Sequence, residues 1–419
     1  MKKRAHIFGI GLLVLLMGCF GSSKISNQNL AFIYKKDNVF SLQPLHTIHH
    51  FSKDSTRVYL SISSDDLLYK NEEVGFTANF KILYKLYDSF ESETVLDSSS
   101  FTLKDRSGHD ESKELFHQFE IATASQIKYL LEISVHDLNN NQKSRNFIQI
   151  DRSNFTGRQN FLIGTVPNNN VLFRDYISIN EKIKIDYPNE EIQDLVVDYY
   201  VNDFEIAVPP FFNNYKRPFD YEPDSTFQIN IKSPLTFKKK GLYHLRMDTM
   251  YQYGITIHVY NNSFPDIKTV DQLVYPLRYI TTKKEFAEIE NSEKSKYLVD
   301  KLWLEMAGNK ERARSLIRHY YGRVRNANKY FTSFKEGWKT DRGIIYIVFG
   351  PPHAIYKNTI SETWIYGEEN NMLSITFNFT KVKNPFTNND YDLERQILYQ
   401  NSWYMAVDNW RHGFVYNSD

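Results

Sequence analysis

The sequence predicts a mainly β chain with an α+β end: two tandem Ig-like β-sandwich domains followed by a C-terminal α+β domain. Three observations predict it. Short runs of alternating apolar and polar residues, such as Val58, Leu60 and Ile62 or Phe76, Ala78, Phe80 and Ile82, recur between turn signals as far as about residue 262. Aromatic residues make up 15% of the chain, with 29 Tyr and 30 Phe, a composition that suits filled strand faces. From about residue 285 the apolar spacing becomes that of helices. At 419 residues the chain is long for one core and suits two or three.

Residues 1–18 read as a targeting segment. Met1-Lys2-Lys3-Arg4 is basic, and Ile7 to Met17 is apolar but too short to span a bilayer comfortably. The segment ends Leu16-Met17-Gly18-Cys19, which resembles the bacterial lipoprotein box, where cleavage precedes a lipidated cysteine. That resemblance implies lipidation at Cys19 and an anchor in membrane lipid. Cys19 is the single cysteine, so stability must come from hydrophobic cores without disulfides. Phe20 rather than aspartate follows it, so the common inner-membrane retention signal is missing and outer-membrane lipid is the expected anchor. Gly21 to Asn29 carries no acidic run resembling the surface-export signals of Bacteroidota lipoproteins, which favours the periplasmic face. Residues 19–30 read as a lipidated, polar, flexible tether.

Residues 31–153 form the first expected sandwich. Its strands include those named above, then Leu131, Ile133 and Val135, a turn at Asp137 to Asn141, and a return over Phe147 to Ile150. Residues 154–262 form the second, with strands around Ile183 and Ile185, Leu195 to Val201, Phe227 to Ile231, Gly241 to Met247 and Gly254 to Tyr260. Pro209-Pro210-Phe211-Phe212 and Arg217-Pro218 break the pattern into a long aromatic loop. It reads either as a capping connection or as a partner-binding lip.

Residues 263–419 begin with two helical patterns. Glu285 to Met306 is one; Gly308 stops it and Asn309 can cap the next, Lys310 to about Phe331. Arg312, Arg314, Arg318, Arg323 and Arg325 read as the solvated side of that second helix. Then comes GWKTDRGIIYIVFGPP, Gly337 to Pro352. Its continuous apolar run, Ile344 to Phe349, reads as a strand covered on both faces, stopped by Gly350-Pro351-Pro352. Paired with strands at Glu362 to Tyr366 and Leu373 to Phe379, it gives a small antiparallel sheet against the helices. The tail beyond Asn384 is turn-rich, then aromatic, and is expected to wrap back onto the domain.

The run from Tyr320 to Tyr356, followed by Glu-Thr-Trp-Ile-Tyr-Gly from Glu362, resembles the GWxTD domain, whose name matches Gly337, Trp338, Thr340 and Asp341. The likeness extends from about Phe264 to the end, with His353 standing where the family more often has an acidic residue. It implies a C-terminal domain of bacterial envelope proteins, often lipoproteins, and brings no established activity.

Composition excludes some classes of function. A net charge of +1 with 24% charged residues offers no basic stripe, so nucleic acid is not an expected partner. The chain has no phosphate-cradling glycine loop, HExxH or GxSxG pattern, and no cofactor is expected. His46, His49 and His50 could supply metal ligands but read better as a loop cluster, so no metal is expected. The suggestive polar set is Glu336, Thr340, Asp341, Arg342 and Glu362. Two carboxylates beside an arginine in one pocket could do acid–base work, making a hydrolase or ligand-binding site around Trp338, Asp341 and Glu362 the alternative. The preferred reading pairs Asp341 with Arg318 or Arg342 to lock a turn, in a non-enzymatic accessory subunit that binds an envelope protein.

Overall fold

The computed structural model describes residues 23–416 except 36–41, 73–74, 108–111, 190, 214–221 and 370. The leader at 1–18, Cys19 and Arg217-Pro218 lie outside the described residues. About 35% of the described residues are in strands and 25% in helices.

The first unit is a sandwich. Strands β1 (Leu45–His49), β2 (Ser55–Ser63) and β6 (Glu114–Ala122) make one antiparallel sheet. Strands β3 (Lys70–Glu72), β4 (Gly75–Tyr87), β5 (Asp97–Ser107), β7 (Lys128–Asp137) and β8 (Lys143–Asp151) make the other, with β4 bonded to β3, β5 and β7. Inward residues of both sheets, including Val58, Leu60, Ile62, Phe80, Ile82, Ile133 and Val135, form one buried core. His46 and His49 lie on β1 with His50 just beyond, so the expected loop cluster is corrected. Alternation on a strand end had been masked by three imidazoles. No group of metal-ligating side chains is assembled among the described residues.

The second sandwich packs β9 (Leu162–Thr165), β11 (Lys182–Asp186) and β14 (Leu235–Thr236) against a five-stranded sheet. That sheet holds β10 (Tyr176–Ser178), β12 (Asp194–Tyr200), β13 (Ser225–Asn230), β15 (Gly241–Arg246) and β16 (Ile255–Tyr260) in the order β10-β16-β15-β12-β13. Its core includes Ile183, Ile185, Leu195, Val197, Leu245 and Ile257.

Helices α1 (Val270–Val274), α2 (Lys283–Glu290), α3 (Ser295–Ala307), α4 (Lys310–Phe331), α5 (Asp341–Phe349) and α6 (Tyr399–Arg411) build the third unit with one antiparallel sheet. The sheet is β17 (Ala354–Lys357), β18 (Ser361–Tyr366), β19 (Ile375–Lys381) and β20 (Tyr391–Leu393), in that order. Asn309 caps α4 by accepting the Arg312 N–H, and Gly308 ends α3 in the left-handed region, as read from the sequence. The single helix expected over 285–306 is instead two, broken at Asn291–Lys294.

The largest correction concerns Ile344 to Phe349. This run is the body of helix α5, not a strand. Thr340 is its N-cap, accepting the Gly343 N–H at 3.0 Å, and Asp341 opens the first turn where a negative charge is favoured. All nine residues of α5 are buried, so no polar stripe betrays its period. At its far end, Arg323 of α4 donates to the carbonyls of Ile347 (3.3 Å) and Val348 (3.2 Å). Those last-turn carbonyls have no helical partner and welcome a cation. Arg323 is therefore buried against α5 and does not belong to the solvated arginine face expected of α4.

Residues before the first sandwich also dock on this unit. Ile25, Leu30, Ala31 and Tyr34 are buried in the same core as α4 and α5, and the Leu30 N–H donates to Ile355 O at 2.8 Å. Residues 24–30 are thus held, where the sequence had suggested a flexible tether. Four apolar side chains scattered among polar ones gave no periodic signal.

Candidate functional site

The 3-10 turn Gly337–Lys339 lies directly on α4. A Cβ on Gly337 would meet the Ala327 carbonyl oxygen at 1.8 Å, so a side chain there is sterically excluded. Trp338 is buried, its N–H donates to Asn328 Oδ1 (3.2 Å), and its carbonyl accepts the Tyr279 hydroxyl (2.8 Å). Thr340 has a double role, donating to the Gly337 carbonyl at 2.8 Å while capping α5. Every one of these contacts joins the turn to a helix.

Asp341 is buried, and its carboxylate accepts the Leu393 N–H (2.9 Å) and the Arg395 Nη1 donor (3.1 Å), with Arg395 Nη2 closing the bidentate pair. The ion pair expected with Arg318 or Arg342 is therefore made with Arg395. Sequence separation hid it, because the partners are 54 positions apart. Glu336 pairs locally with Lys339 at 2.6 Å.

Arg342 and Glu362 do come together, as an inner ion pair. Arg342 Nη1 donates to Glu362 Oε1 at 3.1 Å, and its plane covers the Tyr391 ring at 4.0 Å. Glu362 is fully buried and collects four donors: Arg342, Lys357 Nζ (2.5 Å), Trp364 Nε1 (3.2 Å) and the Tyr34 hydroxyl (3.2 Å). Burial pushes its carboxyl up, but Lys357 and Arg342 hold it down at about 2. A carboxylate so held stays ionised and is a poor proton carrier at neutral pH. Asp341 and Glu362, the two carboxylates of the hydrolase alternative, thus serve separate sets of partners.

With this geometry in view, comparison with known proteins is decisive for the domain. The family model described as the GWxTD domain matches residues 241–412. The chain carries a GWxTD domain. The match starts at Gly241, so it takes in β15 and β16 of the second sandwich as well as the third unit. No curated protein matches the chain. Among solved structures, a glycosyl hydrolase family 2 member from Bacteroides cellulosilyticus is similar over 34% of this chain and 19% of its own, at 10% identity and TM-score 0.19. A Bacteroides uniformis β-glucuronidase 2 aligns over 34% of this chain and 20% of its own, at 9% identity and the same TM-score of 0.19. The chain spans about a fifth of the length of these proteins, and a likeness this slight carries nothing about activity.

A cavity of about 1880 Å³ opens between the two sandwiches and the GWxTD domain. Lys357, Asn389 and Tyr391 of the GWxTD domain reach its wall. Among the described lining residues, none is Gly337, Trp338, Thr340, Asp341, Arg342 or Glu362. Arg342 and Glu362 stand behind the wall and hold it, Arg342 through Asn389 and Tyr391 and Glu362 through Lys357.

On the outside of the GWxTD domain lies an apolar patch. Ile397 and Leu398 precede α6, Tyr404 and Met405 sit on it, and all four are more than half exposed. The proline loop joins them: the Gln396 N–H donates to Pro210 O (3.1 Å), Phe211 packs on Tyr404 (5.4 Å), and the half-exposed Phe212 stacks on Phe211 (4.9 Å). Within the loop Phe211 is buried, while Phe212 is left half exposed.

Proposed function

We infer that this protein is a non-enzymatic interaction subunit of a cell-envelope assembly, anchored to the outer membrane through acylated Cys19 and facing the periplasm. The observation that carries the reading is the exposed patch of Phe212, Ile397, Leu398, Tyr404 and Met405. Contiguous apolar and aromatic surface of this kind on a polar molecule marks a protein contact. The GWxTD turn supports the same reading by its chemistry, since Asp341 and Glu362 are committed to internal partners. In this account the motif is a joint that fixes the two sandwiches and the α6 surface in one arrangement.

The test is cross-linked purification from envelope fractions of cells expressing wild type or a Leu398→Asp/Met405→Asp variant. Matched folding and localisation are verified first, with acyl labelling of wild type and Cys19→Ala to check the anchor. A stoichiometric partner present with wild type and lost with the patch variant is the expected result. A partner retained in both would place recognition elsewhere, and the absence of any partner would remove the accessory-subunit reading.

A further inference from the structure

One face of the β17–β20 sheet is apolar over α5 and charged where it runs out. Ile355, Trp364, Phe379 and Leu393 are buried on the apolar part. Two residues further along their strands, and hence on the same face, come Lys357, Glu362, Lys381 and Tyr391. The register sets Lys357 opposite Glu362 and Lys381 opposite Tyr391. This charged end meets β7 and β8 of the first sandwich, and Lys128, Gln149, Asp151, Lys357, Lys381 and Tyr391 all line the cavity there.

The charges do not balance. Arg342 and Lys357 both bond to Glu362, which leaves one positive charge over. Lys381 adds another: its Nζ donates to the neutral amide oxygen of Gln149, and it forms no ion pair among the described residues. Asp151, the nearest acid across the gap, is already paired with Lys128 at 2.7 Å. An ammonium has three donors, and enclosed unpaired charge is unfavourable unless an opposite charge joins it. Burial, then the fields of Lys357, Lys128 and Arg342, pull the Lys381 ammonium down to about 8, with Asp151 opposing. The Tyr391 hydroxyl, on the same wall, makes no hydrogen bond among the described residues.

We propose that this corner of the inter-domain cavity binds an oxyanion, the carboxylate or phosphate group of a ligand, with Lys381 and Lys357 as its charge partners and the Tyr391 hydroxyl as a neutral donor. The cavity is far larger than one such group, so the anion is the anchored end of a larger molecule. The site goes beyond the interaction reading and lies apart from the α6 patch.

Isothermal titration of the purified full-length chain with inorganic phosphate and with acetate, at matched ionic strength, tests it. Tryptophan emission and melting first confirm that each variant folds like wild type. Saturable binding of at least one probe is expected, weakened about tenfold or more by Lys381→Met and retained by Lys381→Arg, as loss of a charge-assisted bond requires. Tighter phosphate identifies a phosphate-bearing ligand, and tighter acetate a carboxylate. If neither probe saturates, or if Lys381→Met binds as wild type does, the proposal is overturned.

Discussion

Asp341 fixes Leu393: its carboxylate takes the Leu393 backbone N–H at 2.9 Å and pairs with Arg395 two residues further on. A residue opening helix α5 thereby pins the last strand of the sheet, 52 residues away in the chain. The acid of the motif ties helix to sheet, as Gly337 ties turn to helix. All five tryptophans, Trp303, Trp338, Trp364, Trp403 and Trp410, lie within residues 303–410, so selectively excited tryptophan emission reports this domain and not the sandwiches.

Gly337→Ala is expected to unfold the domain far more readily than a surface change. Its Cβ would press on a backbone oxygen of α4, which cannot swing aside. Overpacking of this kind costs about 1–3 kcal/mol or more. Urea unfolding followed by tryptophan emission measures it; a midpoint equal to wild type would mean the turn is not seated on α4.

Glu362→Gln removes the counter-charge of two buried or half-buried cations, Arg342 and Lys357. A loss of about 3–5 kcal/mol is expected, as for other broken buried pairs. The emission of Trp364, whose indole N–H donates to the same carboxylate, should shift as well. An unchanged midpoint would show that these cations find solvent instead.

Leu30→Ala is expected to cost about 2–5 kcal/mol in the same tryptophan-detected transition. Leu30 is fully buried in the GWxTD core although it precedes the first sandwich. If Leu30→Ala left tryptophan-detected unfolding unaltered, residues 24–34 would have to be detached in solution.

Acid should weaken the sandwiches before the carboxylates titrate. His49, His50 and His244 are buried and held neutral to about 4, chiefly by burial, with Arg57, Arg152 and Arg246 respectively acting in the same direction. Unfolded histidines take up protons near pH 6.5, so the unfolded state binds more protons between about 6.5 and 4. Stability is full above about 6.5 and falls as pH drops towards 4. Circular dichroism melts across that window should show the decline, and His50→Gln should flatten part of it. His50 bonds Thr56 Oγ1 (2.9 Å) and Asp151 O (3.2 Å), which glutamine can partly replace.

How much was legible depended on whether a signal was local. Alternation marked strands of both sandwiches, such as β2, β4 and β11, where buried residues alternate with more exposed ones; β16 is buried along its whole length and shows no such alternation. Asn309 and Gly308 marked the ends of α3 and α4 by their own chemistry. Helix α5 was misread because burial on every side erases the period. Thr340 before the apolar run and Gly350 after it were the cap signals that could have corrected the reading. Helix α6 was missed although Tyr399, Trp403, Ala406 and Trp410 recur at helical spacing. At the site, the sequence named Arg342 and Glu362 together but not Tyr34, Lys357 or Arg395. Tyr34 and Arg395 come from distant segments, and only folding brings them in; Lys357 lies five residues from Glu362, on the strand paired with it.

The most direct test of the motif as a structural joint is a double-mutant cycle of Asp341→Ala and Arg395→Ala, read by urea unfolding through tryptophan emission. The account predicts large single losses and a coupling of about 0.5–3 kcal/mol, because each residue answers the other's buried charge. Additive losses with no coupling, or an Asp341→Ala chain as stable as wild type, would contradict it.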